Sequence, residues 1–251
     1  MHPGDASRVL IARPLHGRRR APPPRDTLVV LDFDGFLLNS YQLLKVTFEH
    51  FGLDVGDEDR FRHRRKFLKY LGGGREFMRN FVRASLPKKK KIRERLTDEY
   101  VENGRVFPEF VPLLNDLIAS PSAHVGIVSR NYTYTPGLTI RAVLRNSGVE
   151  EKDLDFVIPI PAGVKKGDVL EAMKSSRYRT CLFGADEVGD YRAAAETGYD
   201  AIMASYGFDS RKRLIEMAKV PEDRIFDSPR MLVEDLRQRL AEKAALVKKA
   251  N

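Results

Sequence analysis

From Phe107 onward, short apolar runs alternate with amphipathic helical stretches, and no other feature of the chain constrains its fold so tightly. Phe110, Leu113, Leu114 and Leu117 repeat at helical spacing and predict a helix over 108–119. A strand is expected at 123–128, a helix at 138–147, a strand at 154–159 and a helix at 166–175. The alternation continues with a strand at 179–184, a helix at 188–197, a strand at 200–204, a helix at 209–218 and a strand at 224–227. Ser228 and Pro229 give the last helix an N-cap and a first residue, and Leu232, Leu236 and Leu240 form its apolar stripe. Strands that alternate with helices build a parallel sheet covered on both faces, so the expected class is α/β with a doubly wound parallel sheet.

The same class takes in the earlier strand, expected at 27–33, which opens on the apolar run Thr27-Leu28-Val29-Val30-Leu31. A helix at about 39–52 follows, with Leu44, Phe48 and Phe51 on one side. Residues 57–104 differ in kind: they are charge-rich and helical in pattern, broken by Gly72-Gly73-Gly74 and again by Pro87. They read as an all-helical cap inserted after the first strand. The expected organisation is a core of 27–40 and 105–251, a cap of 41–104, and a basic tail of 1–26 with Arg18-Arg19-Arg20 and Pro22-Pro23-Pro24. No internal repeat is apparent.

Forty-four basic against 35 acidic residues give a formal charge of +9. That excess suits anionic partners such as phosphate esters, nucleic acid or a membrane surface, and charge alone does not choose among them. No apolar stretch reaches the roughly 20 residues of a membrane span. The N-terminus lacks the continuous apolar segment of a secretory signal, and its arginines admit an organellar address as a lesser reading. The single cysteine, Cys181, sits in an apolar run and reads as an inert core residue. A cytoplasmic location fits these features.

Chemistry concentrates at the ends of the expected strands. Asp32 and Asp34 lie two residues apart where the first strand runs out, so both side chains can face one spot, and Gly35 lets the backbone turn at once. Paired acids at such a place repel each other unless a cation or a reaction uses them. The second strand ends in Ser129, and Lys165 and Lys166 open the helix after the third. The fourth ends in Gly184-Ala185-Asp186, with Asp190 four residues on, a spacing that aims both acids at a common point on a helical turn. Ligands of open α/β sheets sit beyond these strand ends, and the helical insert leaves the sheet at that same edge, where it is placed to act as a lid.

The ordered set resembles the haloacid dehalogenase superfamily over about residues 27–230. The segments are Asp32-Phe33-Asp34-Gly35-Phe36-Leu37-Leu38-Asn39-Ser40, Ser129-Arg130-Asn131, Lys166-Gly167-Asp168-Val169-Leu170, and Gly184-Ala185-Asp186-Glu187-Val188-Gly189-Asp190. The insert is similar to a C1-type cap, as in the phosphoglycolate-phosphatase and β-phosphoglucomutase branch. The resemblance implies a Mg²⁺-dependent phosphatase acting on a small phosphorylated metabolite. Asp32 would be the nucleophile and Asp34 the general acid and base. Ser129 and Lys166 would hold the phosphoryl group, with Lys165 as the alternative lysine. Mg²⁺ would take Asp32, the backbone carbonyl of Asp34, Asp186, and Asp190 directly or through water. Two positions depart from the family pattern. Phe36 replaces the usual Thr or Val, and either narrows the site or packs inward; Gly-Ala-Asp replaces Gly-Asp.

Three rival readings accompany this one. A phosphomutase would need a bisphosphate activator, and a phosphonate hydrolase a cap lysine that forms a Schiff base. A weakly catalytic nucleic-acid-binding protein would use the basic tail, Arg62-His63-Arg64-Arg65-Lys66 and the lysines from Lys88 to Lys91. These runs otherwise read as solvated faces. Arg75, after the glycine triplet, is a candidate for a substrate anion. Nothing in the sequence bears on oligomeric state.

Overall fold

β1 (Thr27–Leu31) is the central strand, and Leu28 to Leu31 are all buried, as a strand covered on both faces requires. Its side chains alternate: Val29 and Leu31 join one apolar cluster, Leu28 and Val30 the other. The computed structural model describes residues 25–53, 56 and 89–250. Around β1 run β2 (Ala123–Ser129), β3 (Phe156–Pro159), β4 (Thr180–Ala185), β5 (Asp200–Ala204) and β6 (Ile225–Phe226). The spatial order is β3-β2-β1-β4-β5-β6, and every pairing is parallel. The expected doubly wound parallel sheet is what forms. Its order reverses between β1 and β4, where Leu31 pairs with Gly184, and a crevice opens there beyond the strand ends.

The helices are α1 (Ser40–His50), α2 (Lys89–Asn103), α3 (Phe110–Ala119), α4 (Pro136–Asn146), α5 (Lys166–Met173), α6 (Val188–Glu196), α7 (Arg211–Ala218) and α8 (Pro229–Ala250). α3, α4 and α8 cover one face through Phe110, Leu114, Ile140, Val143, Leu232 and Leu236. α5, α6 and α7 cover the other through Leu170, Ala194 and Leu214. Burial of each large apolar side chain contributes roughly 1.5–3 kcal/mol.

Several boundaries differ from expectation for local reasons. β1 stops at Leu31, because Gly35 takes φ 78° and the chain turns back on itself, with Leu37 N bonded to Phe33 O at 2.9 Å. α7 starts at Arg211, since the Ser210 hydroxyl accepts from Arg213 N and caps the helix. α4 starts two residues earlier than expected, with Pro136 in its first turn, and α5 ends at Met173. Phe51 lies just past α1 and is half-buried, while Leu44 and Phe48 are enclosed. Ser228 Oγ accepts from Met231 N at 3.3 Å, so the expected cap is made. Cys181 is half-buried rather than enclosed, and burial pushes its thiol up.

Phe36 packs inward. It is fully buried, its ring lies 5.3 Å from that of Phe110, and its edge fills the space over Gly184, where an added Cβ would meet Phe36 Cζ at 2.4 Å.

Within residues 41–104, α1 and α2 pack on each other, and α2 also packs on α4. The tail through residue 24 lies outside the described residues. So do Arg62 to Lys66, Gly72-Gly73-Gly74, Arg75 and Lys88; Lys89, Lys90 and Lys91 are exposed on the first turn of α2. Among the described residues, no helix is long and apolar enough to cross a membrane.

Candidate active site

The sheet's strand ends bring Asp32, Ser129, Lys166, Asp186 and Asp190 together, with Asp34 beside them. Asp32 follows β1 directly, and its backbone N–H bonds to Gly184 O at 2.8 Å, so the strand pairing itself fixes this residue. Its Oδ1 accepts from Phe33 N at 2.7 Å and its Oδ2 from Lys166 Nζ at 2.7 Å. Burial alone would push this carboxyl up, but the Lys166 ammonium and the hydrogen bonds outweigh it and hold Asp32 below the ordinary carboxylate range.

Lys166 is the first residue of α5 and only 9% exposed, whereas Lys165, at the N-cap, points to solvent. Of the two lysines, Lys166 is the one whose ammonium reaches Asp32. Its Nζ also lies 2.6 Å from Asp190 Oδ2, so one ammonium bridges two acids. Burial disfavours the charge, yet Asp190 and Asp32 together raise the lysine pKa and keep it protonated.

Asp186 is fully buried just before α6. It does not cap that helix: Asp209 Oδ2 accepts from Val188 N at 2.8 Å instead. Nor does it share a helical turn with Asp190, as the spacing suggested; it reaches the same point from the strand end. Asp186 Oδ2 accepts from Phe208 N at 2.6 Å, and Asp186 Oδ1 is buried with no hydrogen-bond partner among the described residues. The carboxylate is wedged between two glycines, since a Cβ on Gly35 or Gly207 would lie 2.2 or 2.3 Å from its Oδ2. Only glycine fits at Gly35, where φ is also positive. Burial, then the negative charges of Glu187 and Asp32, push Asp186 well up; burial, with Asp32 and Glu187, does the same to Asp190 against the pull of Lys166.

Carboxylate oxygens of Asp32, Asp186 and Asp190 lie within 4.8 Å of one another. Of three buried acids, two share one ammonium, the third has an oxygen with no partner among the described residues, and every donor is a hard oxygen. Such a set fits a divalent cation of the Mg²⁺ type.

Asp34 stands apart electrostatically. Its Oδ1 accepts from Ser40 Oγ at 2.7 Å and from Tyr100 Oη, and its Oδ2 from Asn131 Nδ2 at 2.9 Å. Burial pushes its carboxyl up to about 6, aided by the Asp32 charge and opposed by the three donors. Asn131 is oriented by Thr133, whose N–H and hydroxyl both donate to Asn131 Oδ1. Ser129 is buried at the end of β2, and its Oγ has no hydrogen-bond partner among the described residues.

A cavity of about 250 Å³ opens beside these groups. Asp32, Asp34, Ser129, Lys166 and Asp190 form its polar floor, while Leu44, Leu96, Tyr100, Tyr132 and Phe208 form an apolar wall. Arg130 and Glu187 add one charge of each sign.

Four contributors carried no assigned role in the sequence reading. Ser40 and Asn131 lie inside motifs it singled out. Tyr100 stands eight residues after Ile92 and four after Leu96, a spacing that reads as core. Phe208 acts through its backbone N–H, which no side-chain pattern reveals.

No protein-family model matches the chain, and no curated protein sequence matches it. Solved structures do. A haloacid dehalogenase-like hydrolase from Streptococcus pneumoniae is 19% identical, with a TM-score of 0.56 over 84% of this chain and 98% of that one. A predicted phosphoglycolate phosphatase from Haemophilus somnus is 16% identical, with a TM-score of 0.57 over 84% of this chain and 97% of that one. CbbY from Rhodobacter sphaeroides, solved in complex with phosphate, is 18% identical, with a TM-score of 0.58 over 82% of this chain and 95% of that one. The chain has the haloacid dehalogenase-like fold.

Proposed function

We propose that this chain is a Mg²⁺-dependent phosphomonoesterase that acts on a small phosphorylated metabolite. One observation carries the reading: Asp32 and Asp34, two residues apart, sit in environments that push them in opposite directions. Asp32 is held ionised by Lys166, as a nucleophile must be, and Asp34 is raised to about 6, as a proton donor must be.

In this reading an Asp32 carboxylate oxygen attacks phosphorus and an aspartyl phosphate forms as the ester P–O bond breaks. The electron pair of that bond goes to the ester oxygen, which takes the proton from Asp34. Asp34, now a carboxylate, accepts a proton from the water that hydrolyses the intermediate. Ser129 Oγ, buried and unpartnered, donates to a phosphoryl oxygen. Lys166 supplies positive charge to the nucleophile and the transferring group.

Asp32, Asp186 and the Asp34 carbonyl would hold Mg²⁺, with Asp190 directly or through water. When bound, the ion offsets the repulsion between these acids and a phosphate dianion. α1 and α2, which contribute Leu44, Leu96 and Tyr100 to the cavity wall, act as a lid in this reading.

Asp32→Asn tests the proposal. It is expected to abolish Mg²⁺-dependent hydrolysis of an aryl phosphate while circular dichroism and the unfolding midpoint show an intact fold. Unchanged turnover overturns it.

A further inference from the structure

We infer that Tyr100, from the far end of α2, is a positioning residue that dictates which oxygen of Asp34 carries the catalytic proton; the inference rests on the phosphatase reading. A carboxylate oxygen offers two acceptor sites. Both sites of Asp34 Oδ1 are filled, one by Ser40 Oγ and one by Tyr100 Oη. Asp34 Oδ2 accepts a single bond among the described residues, from Asn131 Nδ2. That amide is fixed with its NH₂ toward Asp34, because Asn131 Oδ1 accepts from both Thr133 N and Thr133 Oγ1. With both hydroxyls donating to Oδ1, the site left for an acid proton is the remaining one on Oδ2.

Three segments set this arrangement: the start of α1, the last turns of α2 and the loop after β2. Tyr100 is 2% exposed and stacked in line with Ile92 and Leu96, so its ring is held by packing and its hydroxyl has little freedom. The helix that presents it is itself tied to the loop bearing Asn131. Arg93 Nε and Nη2 donate to the Tyr132 and Thr133 carbonyls at 3.1 and 2.8 Å, and Tyr134 N donates to Thr97 Oγ1 at 2.7 Å. The two donors on opposite oxygens of Asp34 thus move as one unit. In the transfer, the Asp34 Oδ2–H bond breaks and a bond forms from that hydrogen to the ester oxygen, which receives the electron pair of the broken P–O bond. Without Tyr100, Oδ1 regains an acceptor site, and the proton divides between a productive and an unproductive oxygen.

The test is Tyr100→Phe, which keeps the ring and removes the hydroxyl. kcat/KM is measured with Mg²⁺ on an alkyl phosphate, whose leaving group needs a proton, and on 4-nitrophenyl phosphate, whose leaving group does not. The ratio of alkyl to aryl kcat/KM is expected to fall by about twofold or more, because each Asp34 oxygen then accepts one bond and keeps one open site. Ser40→Ala frees the same oxygen from a different segment and is expected to lower the ratio in the same sense. An equal loss on both esters, or no loss, in both variants overturns the inference and leaves the phosphatase reading standing. Absence of hydrolysis of either ester by the unmodified protein overturns that reading and the inference with it.

Discussion

Lys166 Nζ lies 2.7 Å from Asp32 Oδ2, across 134 positions of sequence, and this contact joins the start of α5 to the end of β1 inside the core. The same ammonium meets Asp190 at 2.6 Å. A buried cation shared by two acids is costly to delete, because Asp32, which it holds ionised, is left as a buried charge without its counter-ion. Lys166→Met is therefore expected to destabilise the metal-free protein by about 3–5 kcal/mol in urea unfolding at pH 7. Turnover is expected to fall by about 10²-fold or more. Wild-type stability in the variant would mean that the two acids are neutral without the lysine.

Asp186 gives a second prediction, independent of turnover. Its buried, unpartnered Oδ1 makes it the most dependent of the acids on an added cation. Mg²⁺ that binds only the folded state stabilises it by roughly 2.7 kcal/mol at a hundred times its dissociation constant. Asp186→Asn removes a repelling charge from the metal-free protein and a ligand from the loaded one. The unfolding midpoint of the variant is expected to match or exceed that of the parent without Mg²⁺, and to lose the Mg²⁺-dependent rise. A full rise in the variant would place the cation elsewhere.

Asp34 sets the pH dependence. Its carboxyl, pushed up to about 6, must be protonated when the alcohol leaves. kcat/KM for an alkyl phosphate is then full below about pH 6 and falls about tenfold per unit above it, a limb that 4-nitrophenyl phosphate should lack. The same group gives the stability of the metal-free protein a sign. A folded pKa above the unfolded value of ~4 means that the folded state binds more protons between pH 4 and 6, so stability falls as pH rises through that window. The fall from this group is roughly 2–3 kcal/mol, and Asp186 and Asp190, also raised, add to it in the same direction. Asp34→Asn should flatten part of the slope in urea titrations at pH 4 to 7. A stability that rises with pH over this range would contradict the assignment.

The strand ends were legible because an apolar run that stops on a charged or hydroxyl residue announces itself: Asp32, Ser129 and Asp186 all close such runs. Lys166 was half legible, since the Lys-Gly-x-x-Leu pattern favoured it while its neighbour Lys165 stayed an alternative, and burial now sets the two apart. Tyr100 was not legible. It shares the i, i+4, i+8 stripe of Ile92 and Leu96, and an aromatic in that register is ordinarily core; here its ring is core while its hydroxyl reaches the site. The grip of Phe208 on Asp186 was invisible because it uses the main chain, and any residue but proline could supply it. Strand order was likewise beyond the pattern of apolar runs, because it depends on which faces the crossover helices cover.

Phe36 gives the last prediction. Its bulk departs from the pattern of the resembled family, yet the ring points away from the cavity and fills the space that Gly184 leaves by having no side chain. A methyl on Gly184 would lie 2.4 Å from Phe36 Cζ and 3.0 Å from Leu31 Cδ2, so one of them must move. Gly184→Ala is expected to cost about 1–3 kcal/mol, as overpacking of a tight core does. Phe36→Leu shortens the ring and should cost a similar amount through the space it leaves. Together they should cost less than their sum by about 1 kcal/mol, because the methyl enters the volume the ring vacated. Additivity within about 0.5 kcal/mol would mean that the two residues do not share that volume. Phe36→Leu should also leave the alkyl to aryl kcat/KM ratio where it was, since Asp34 is held by Ser40, Tyr100 and Asn131 and not by this ring.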